Sequence, residues 1–168
     1  MPVPPLPDAE ALCTALAAAM RGQVDPDRTA LVGIHTGGVW VAERLHAVLG
    51  LKIPPGSIDV SFHRDDYHQR GLHAKARSSQ IPFDVEGAHI VIVDDVLYTG
   101  RTIRAAMNEL FDYGRPARVD LAVLTDRGGR ELPVAPTWCP HALTLPASQM
   151  LALERADDGG LSFRLMEK

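Results

Sequence analysis

One twelve-residue segment, residues 91–102, constrains the fold more than any other part of the chain. It reads VIVDDVLYTGRT, so an apolar run leads into two acids and then into a loop with threonine and glycine. The apolar residues do not alternate with polar ones, which predicts a strand buried on both faces of a sheet. A helical pattern then runs to Tyr113 and stops before Gly114 and Pro116. The segment therefore predicts a strand, a loop and a helix in succession.

The rest of the chain repeats this alternation of strands and helices. Its 168 residues fit one domain, residues 1–168, with a sizeable core. Such an order predicts an α/β domain with a mostly parallel central sheet and helices on both faces. The expected helices span 8–20, 39–49 and 102–113, and the expected strands span 30–34, 57–62, 89–95 and 119–124, with a hairpin of 150–155 and 161–166 around the turn signal DDGG.

Two long connections break the pattern. Residues 63–80 are polar and non-periodic, which is typical of a lid or a binding loop. Within residues 63–77 the chain has Arg64, Arg70, Lys75 and Arg77 against two acids, a net positive charge suited to a phosphate. A solvated surface loop is the alternative for that segment. Residues 126–140 are rich in glycine, proline and arginine, so an irregular excursion is expected there.

The chemistry predicted for residues 91–102 is binding of a phosphorylated sugar. Ligands of an open α/β sheet lie beyond the carboxyl ends of its strands, where Asp94 and Asp95 fall. The following loop, with Gly100, enters a helix whose first N–H groups and dipole favour a phosphate. Two carboxylates beside a phosphate fit a ligand that also has hydroxyl groups, such as a ribose. Acids that only cap the helix, or a phosphoacceptor site of the receiver type, are the alternatives; no GxxxxGK[ST] nucleotide-binding string occurs.

Composition limits the expected partners and cellular location of the chain. Its net charge is −4, so the chain as a whole is not an unspecific nucleic-acid binder. No apolar run reaches the roughly 18 residues of a membrane span, so no membrane association is expected. Cys13 and Cys139 do not make a disulfide framework, which favours a reducing, cytoplasmic location.

The same residues resemble a known family. Residues 91–102 resemble the phosphoribosyl pyrophosphate (PRPP) signature of type I phosphoribosyltransferases. The wider match resembles the PyrR family of bifunctional pyrimidine operon regulators and uracil phosphoribosyltransferases. The matching segments are FHRDD (62–66), IPFDVEG (81–87), residues 93–104, DYGRPAR (112–118) and residues 121–133, which contain DRGGRELP.

The resemblance implies the type I phosphoribosyltransferase fold, with a mobile lid at about 63–80 and a small hood at about 126–145. It implies transfer of a phosphoribosyl group from PRPP to uracil, giving UMP and pyrophosphate, with Mg²⁺ held mainly by PRPP oxygens and water. It does not imply that protein side chains bind the metal. It does imply a homodimer or higher homo-oligomer. The implied catalytic residues are Asp94, Asp95 and Arg64. The implied substrate-binding residues include Val96 at the end of the strand. The others are Leu97, Tyr98, Thr99, Gly100, Arg101 and Thr102 for the 5-phosphate, His35, Thr36, Gly37 and Gly38 for pyrophosphate, and Asp126 and Arg127 for the base.

Three departures from the family pattern leave alternatives open. Relatives usually have arginine at the positions of His35 and Gly37, and restoring both arginines is expected to raise activity if leaving-group binding is limiting. Residues 1–50 have three basic against five acidic residues, which disfavours RNA as a partner. Trp138 and its neighbours replace a lysine-bearing turn of the family, and packing is favoured over base stacking for this aromatic ring. A regulator that senses PRPP or UMP with weak or lost catalysis, and a transferase for another nucleobase, are the alternative functions.

Overall fold

Four parallel strands form the central sheet of the computed structural model, which describes residues 5–60 and 79–168. The strands are β1 (Thr29–Ile34), β2 (Gly56–Ile58), β3 (His89–Leu97) and β4 (Arg118–Asp126), in the spatial order β2-β1-β3-β4. The helices are α1 (Ala9–Met20), α2 (Gly37–Leu49) and α3 (Arg101–Tyr113). Strands β5 (Gln149–Arg155) and β6 (Leu161–Glu167) form an antiparallel hairpin.

Both faces of the central sheet are covered, as the unbroken apolar runs predicted. All six residues of β1 are buried, and residues 90–93 of β3 have no exposed surface. Successive side chains of β3 point to opposite faces. Val91 and Val93 pack in the core cluster that contains α1 and α2, whereas Ile90 and Ile92 pack in the cluster that contains α3. The predicted α/β architecture with helices on both faces is therefore confirmed.

Local signals at the helix ends act as expected. Asp8 caps α1, because its carboxylate accepts hydrogen bonds from the backbone N–H groups of Glu10 at 3.0 Å and Ala11 at 3.2 Å. Helix α2 ends at Gly50, which has the left-handed φ of 64°. The strand expected over residues 57–62 was wrong in extent. It starts at Gly56 and ends at Ile58, and the chain has left the strand conformation at Asp59 and Val60.

The hairpin of β5 and β6 pairs only with itself among the strands of residues 5–60 and 79–168. Its apolar side chains, such as Leu151 and Phe163, complete the core beside α1 and α2. A polar contact fixes its turn. Arg44 of α2 donates to the carbonyl oxygen of Gly159 at 3.2 Å and to the carboxylate of Glu10, which also accepts from the N–H of Leu161 at 2.7 Å. The hydrogen bond from Arg44 is the main reason why the pKa of Glu10 is lowered.

A second polar cluster lies where β3 and β4 begin, at the opposite end of the sheet from Asp94. The carboxylate of Asp120 is 2.7 Å from Nε2 of His89, accepts from Nε of Arg118 at 2.8 Å and accepts from the hydroxyl of Thr137 at 3.1 Å. Burial by itself raises the pKa of Asp120. The hydrogen bonds from His89, Arg118 and Thr137 outweigh that effect, so the pKa is lowered.

Some expectations fall on residues that the structure does not describe. Of the expected lid, only Ser79 and Gln80 are described, and Gln80 forms an antiparallel bridge with Ser57. Arg64 lies outside the described residues. Within the described ranges, no helix is long and apolar enough to cross a bilayer.

Candidate functional site

A cavity of about 630 Å³ opens at the carboxyl ends of β1 and β3. This volume is in the range of pockets that hold a small-molecule ligand, roughly 300–1,000 Å³. Most of the site residues expected from the sequence line this one cavity. They are His35, Thr36, Gly37, Asp94, Asp95, Val96, Leu97, Tyr98, Thr99, Gly100, Arg101, Thr102 and Arg127.

The acid pair lies near the end of β3, at the wall of the cavity. The carboxylate of Asp94 is buried, and its Oδ1 accepts from the backbone N–H of Asp95 at 2.9 Å. Asp95 repeats this arrangement, because its Oδ1 accepts from the N–H of Val96 at 2.9 Å. These short local bonds orient both carboxylates at the cavity, where they can accept hydrogen bonds from ligand hydroxyl groups.

The loop between β3 and α3 presents the helix N-terminus to the same cavity. Gly100 precedes α3 with a φ of 96°, and a side chain there would meet Val134 at 3.1 Å. Both the left-handed conformation and this close packing favour glycine. Residues 131 and 132 hold the loop, since their N–H groups donate to the carbonyl oxygen of Thr99 at 2.9 and 3.1 Å. The result is a fixed loop whose following amides and helix dipole suit a phosphate.

The loop between β1 and α2 forms the third wall of the cavity. The peptide bond between His35 and Thr36 is cis, and the N–H of His35 donates to the carbonyl oxygen of Ile58 at 2.9 Å. A Cβ atom on Gly37 would lie 2.4 Å from Oδ2 of Asp95. A Cβ atom on Gly38 would lie 2.4 Å from the carbonyl oxygen of Val93. Gly37 therefore borders the acid pair. Gly38, which was also expected to bind pyrophosphate, is not among the residues that line the cavity, and its lack of a side chain lets α2 pack against β3.

The residues expected to bind the base are placed differently from one another. Arg127 lines the cavity, with its guanidinium 3.9 Å above the ring of Tyr98. Asp126 is not among the lining residues. Its carboxylate accepts from the N–H of Gly128 at 2.9 Å and from Arg130 at 2.6 Å. Burial raises the pKa of Asp126, but these two hydrogen bonds outweigh it and the pKa is lowered.

Trp138 is a packing residue. It is buried in the core cluster that contains α1 and α2, and its indole N–H donates to the side-chain oxygen of Gln23 at 3.3 Å. It does not line the cavity. The preference for packing over base stacking at this aromatic ring is confirmed.

Several lining residues were not expected from the sequence. Asp59 adds a third, largely buried carboxylate just after β2, where the strand was expected to continue to residue 62. An acid that follows a short apolar strand was the signal that could have identified it. Lys168 and residues 150–153 of the hairpin also line the cavity, although they are distant in sequence. Nothing local indicates that a hairpin strand reaches this cavity.

Acidic groups of the cavity could lie beside a bound metal ion. Within residues 5–60 and 79–168, no three His, Cys, Asp or Glu side chains converge closely enough to hold one. A pair of carboxylates together with ligand phosphates is the usual environment of Mg²⁺ in proteins. The acid pair Asp94 and Asp95 therefore fits a Mg²⁺ ion that is bound mainly through a phosphorylated ligand.

The fold and the cavity place the chain in a class. Residues 5–139 match the family model of the phosphoribosyl transferase domain. A hypoxanthine phosphoribosyltransferase from Staphylococcus aureus has the same fold, with a TM-score of 0.62 at 16% identity over 86% of this chain and 76% of that one. A hypoxanthine-guanine phosphoribosyltransferase from Bacillus anthracis gives a TM-score of 0.65 at 12% identity over 85% of this chain and 86% of that one.

Sequence relatives narrow the class. The bifunctional protein PyrR of Pseudomonas entomophila is 55% identical over 134 residues, which are 75% of this chain and 78% of the relative. The bifunctional protein PyrR of Ralstonia nicotianae is 50% identical over 155 residues, which are 90% of this chain and 88% of the relative. The chain therefore belongs to the PyrR family, within the phosphoribosyltransferases.

Proposed function

We propose that the chain transfers the phosphoribosyl group of PRPP to uracil, giving UMP and pyrophosphate. The observation that supports this most is the meeting of an acid pair and a helix N-terminus in one cavity. A ribose 5-phosphate has hydroxyl groups for the acids and a phosphate for the amides. The phosphoribosyl transferase domain and the PyrR relatives support the same reaction class.

The proposed reaction exchanges two bonds at C1 of the ribose. The bond from C1 to a pyrophosphate oxygen breaks, and a bond from C1 to N1 of uracil forms, with loss of the N1 proton. Positive charge develops on the sugar, and Asp94 and Asp95 stabilise it while they accept hydrogen bonds from the 2- and 3-hydroxyls. Residues 98–102 hold the 5-phosphate, and residues 35–37 border the pyrophosphate. Fixing both reactants in this way supplies much of the rate increase expected of such a site.

The metal expected with PRPP is Mg²⁺, which when bound neutralises charge on the leaving pyrophosphate. Asp94 and Asp95 are the residues that would approach it, and Asp59 lines the same cavity. These side chains also keep the ribose oriented, whatever the metal contributes. The base is expected at the part of the cavity lined by residues 150–153 and Arg127.

The proposal is tested by replacing each acid with its neutral isostere. Asp94→Asn and Asp95→Asn each remove a charge-assisted hydrogen bond to ribose, worth roughly 1.5–3 kcal/mol, so turnover should fall at least tenfold for each variant. The assay follows UMP formation from PRPP, Mg²⁺ and uracil. Glu43→Gln on the outer surface of α2 is the matched control, because Glu43 is exposed, does not line the cavity and makes a 4.0 Å ion pair with Arg155. Activity of the Asp variants within a few-fold of the parent would contradict the ribose assignment.

A regulator with weak catalysis is the second candidate function, and one observation favours it. The loop proposed for pyrophosphate has no arginine at His35 or Gly37, and a side chain on Gly37 would displace the carboxylate of Asp95. Weak leaving-group binding would leave a protein that senses PRPP or UMP. Calorimetric binding of UMP without turnover on uracil, cytosine or purine bases would favour this candidate. RNA gel shifts at stated salt concentrations then determine whether RNA is its target, and competition among bases identifies a transferase for another nucleobase.

A further inference from the structure

Arg127 is a buried guanidinium at the joint between β4 and the hairpin. Only 4% of the residue is exposed. Its Nη1 donates to the carbonyl oxygen of Gln149 at 2.8 Å, and its Nη2 donates to the carbonyl oxygens of Pro146 at 3.1 Å and Leu145 at 3.5 Å. All three carbonyls belong to the segment that leads into β5. The guanidinium thus fixes the start of β5, the strand whose residues 150–153 line the cavity.

The contacts of the guanidinium are with the wall of the cavity itself. Both terminal nitrogens already bind backbone carbonyls, and one face of the group covers the ring of Tyr98. Nε is buried and has no hydrogen-bond partner among the described residues, so it does not reach the open cavity. A buried donor left unpaired is unfavourable, which indicates that the three carbonyl contacts determine where the group lies.

The alternation of hydrogen bonds along β5 shows which of its groups face the cavity. The N–H of Lys168 donates to Ser148 at 2.9 Å, and the N–H of Ala156 donates to Gly160 at 2.9 Å. At both ends of the hairpin, the residues on the β5 side that bond to the β6 side are therefore even-numbered. The odd-numbered residues of β5 direct their backbone N–H and C=O groups to the edge of β5 that faces away from β6, the open edge. The contact of the Gln149 carbonyl with Arg127 agrees with this alternation.

The open edge of β5 is the part that lines the cavity. Residues 150–153 all line it, although successive side chains of a strand point to opposite faces. Four consecutive residues can all line the cavity only if the edge of the strand, and not one of its faces, borders it. The side chains of Leu151 and Leu153 pack in the core. Leu151 and Leu153 are the odd-numbered lining residues, so their N–H and C=O groups lie on the open edge. Leu151 is the nearer of the two to Gln149, whose carbonyl Arg127 holds.

We propose that Arg127 is a positioning residue, which fixes the open edge of β5 so that the N–H and C=O of Leu151 contact the nucleobase. This inference rests on the proposed function. An adjacent donor and acceptor match the N3–H and the neighbouring carbonyl oxygen of uracil. The same pair does not match N3-methyluracil, which has lost the donor. Arg127 therefore sets affinity for the base while the acid pair and the α3 N-terminus hold the sugar phosphate.

The test compares Arg127→Lys and Arg127→Gln with the parent in two kinds of measurement. Steady-state kinetics should show the KM for uracil raised roughly tenfold or more, because several charged hydrogen bonds are lost, while the KM for PRPP stays within about threefold. Calorimetry should show weaker binding of UMP and unchanged binding of ribose 5-phosphate. Arg155→Lys is the matched control, since Arg155 holds the other end of β5, 4.9 Å from the ring of Trp40. Arg155→Lys should leave the binding of both ligands unchanged.

The outcomes separate this inference from the function on which it rests. A parent protein that binds neither UMP nor ribose 5-phosphate refutes the proposed function itself. The positioning role alone is refuted if the parent binds UMP and ribose 5-phosphate but the Arg127 variants lose affinity for both ligands equally, or lose affinity for neither. Competition on the parent protein needs no variant and is independent of folding. N3-methyluracil competing as well as uracil would overturn the assignment of the Leu151 backbone.

Discussion

Replacing Gly38 or Gly37 by alanine tests how α2 and the acid pair are packed, because the two neighbours differ in what a side chain would meet. A Cβ atom on Gly38 would lie 2.4 Å from the carbonyl oxygen of Val93 and 3.1 Å from Cα of Asp94. Both atoms are backbone, so α2 must move away from β3. A Cβ atom on Gly37 would lie 2.4 Å from Oδ2 and 2.8 Å from Cγ of Asp95, and these atoms can rotate away.

The expected magnitudes follow from those contacts. Over-packing against a fixed core destabilises by about 1–3 kcal/mol, and the higher helix propensity of alanine restores at most about 1 kcal/mol. Gly38→Ala should therefore destabilise the protein by about 2 kcal/mol, or roughly 4–8 °C in Tm for a chain of this size. Gly37→Ala should leave Tm nearly unchanged. It displaces the Asp95 carboxylate, however, and losing a charged hydrogen bond to ribose should weaken binding of ribose 5-phosphate roughly tenfold or more.

Thermal denaturation and calorimetry with ribose 5-phosphate separate the two effects, and each variant is the control for the other. Gly38→Ala should bind the ligand nearly as well as the parent at a temperature where it is folded. The packing argument fails if Gly37→Ala loses as much Tm as Gly38→Ala, or if Gly37→Ala binds ribose 5-phosphate like the parent.

Two further predictions concern the pyrophosphate loop and the acid stability of the fold. His35→Arg alone should strengthen inhibition by pyrophosphate and raise kcat/KM for PRPP about tenfold, because one added charged contact contributes roughly 1.5–3 kcal/mol. Adding Gly37→Arg should remove this gain, since the new side chain would meet Asp95. Unchanged kinetics of the single variant would show that another group already binds the leaving group. The pKa of Asp120 is lowered in the folded protein, so its stabilising contribution is present above the ordinary Asp value of about 3.9 and is lost as the pH falls through the lower folded value. Asp120→Asn should therefore be less stable than the parent at neutral pH but lose less stability between about pH 5 and pH 2 in denaturant titrations, and parallel pH curves would refute this.

The part of the fold that depends on local sequence could be predicted. The apolar run of β3 specifies a buried strand wherever its neighbours lie, and Gly100 marks the turn into α3. Helix bounds agreed to within two residues because Asp8 and Gly50 act through contacts a few residues away. The acid pair and the loops that accompany it could likewise be located in the sequence, because parallel strands bring their carboxyl ends together.

The contribution of β5 to the cavity could not be predicted, because it depends on contacts over long sequence separations. Leu151 and Leu153 read as ordinary hairpin residues, and only their packing beside α1 and α2 carries β5 to the cavity. Arg127 was expected to contact the base, and no local pattern indicates that its partners are carbonyls about twenty residues later. The steric conflict between Gly37 and Asp95 is also invisible in the sequence, where arginine at that position seemed a simple gain.

The way in which the hairpin of β5 and β6 is attached affects how the base preference of such a protein can change by substitution. It shares no ladder with the central sheet in the described residues and is attached through side chains, with Arg127 at its start and Arg44 at its turn. The wall proposed to select the base is thus a separate module from the strands that present the acids and the helix N-terminus. Substitutions within residues 145–168 can alter base preference during evolution or in the laboratory while the sugar-phosphate half of the pocket keeps its geometry.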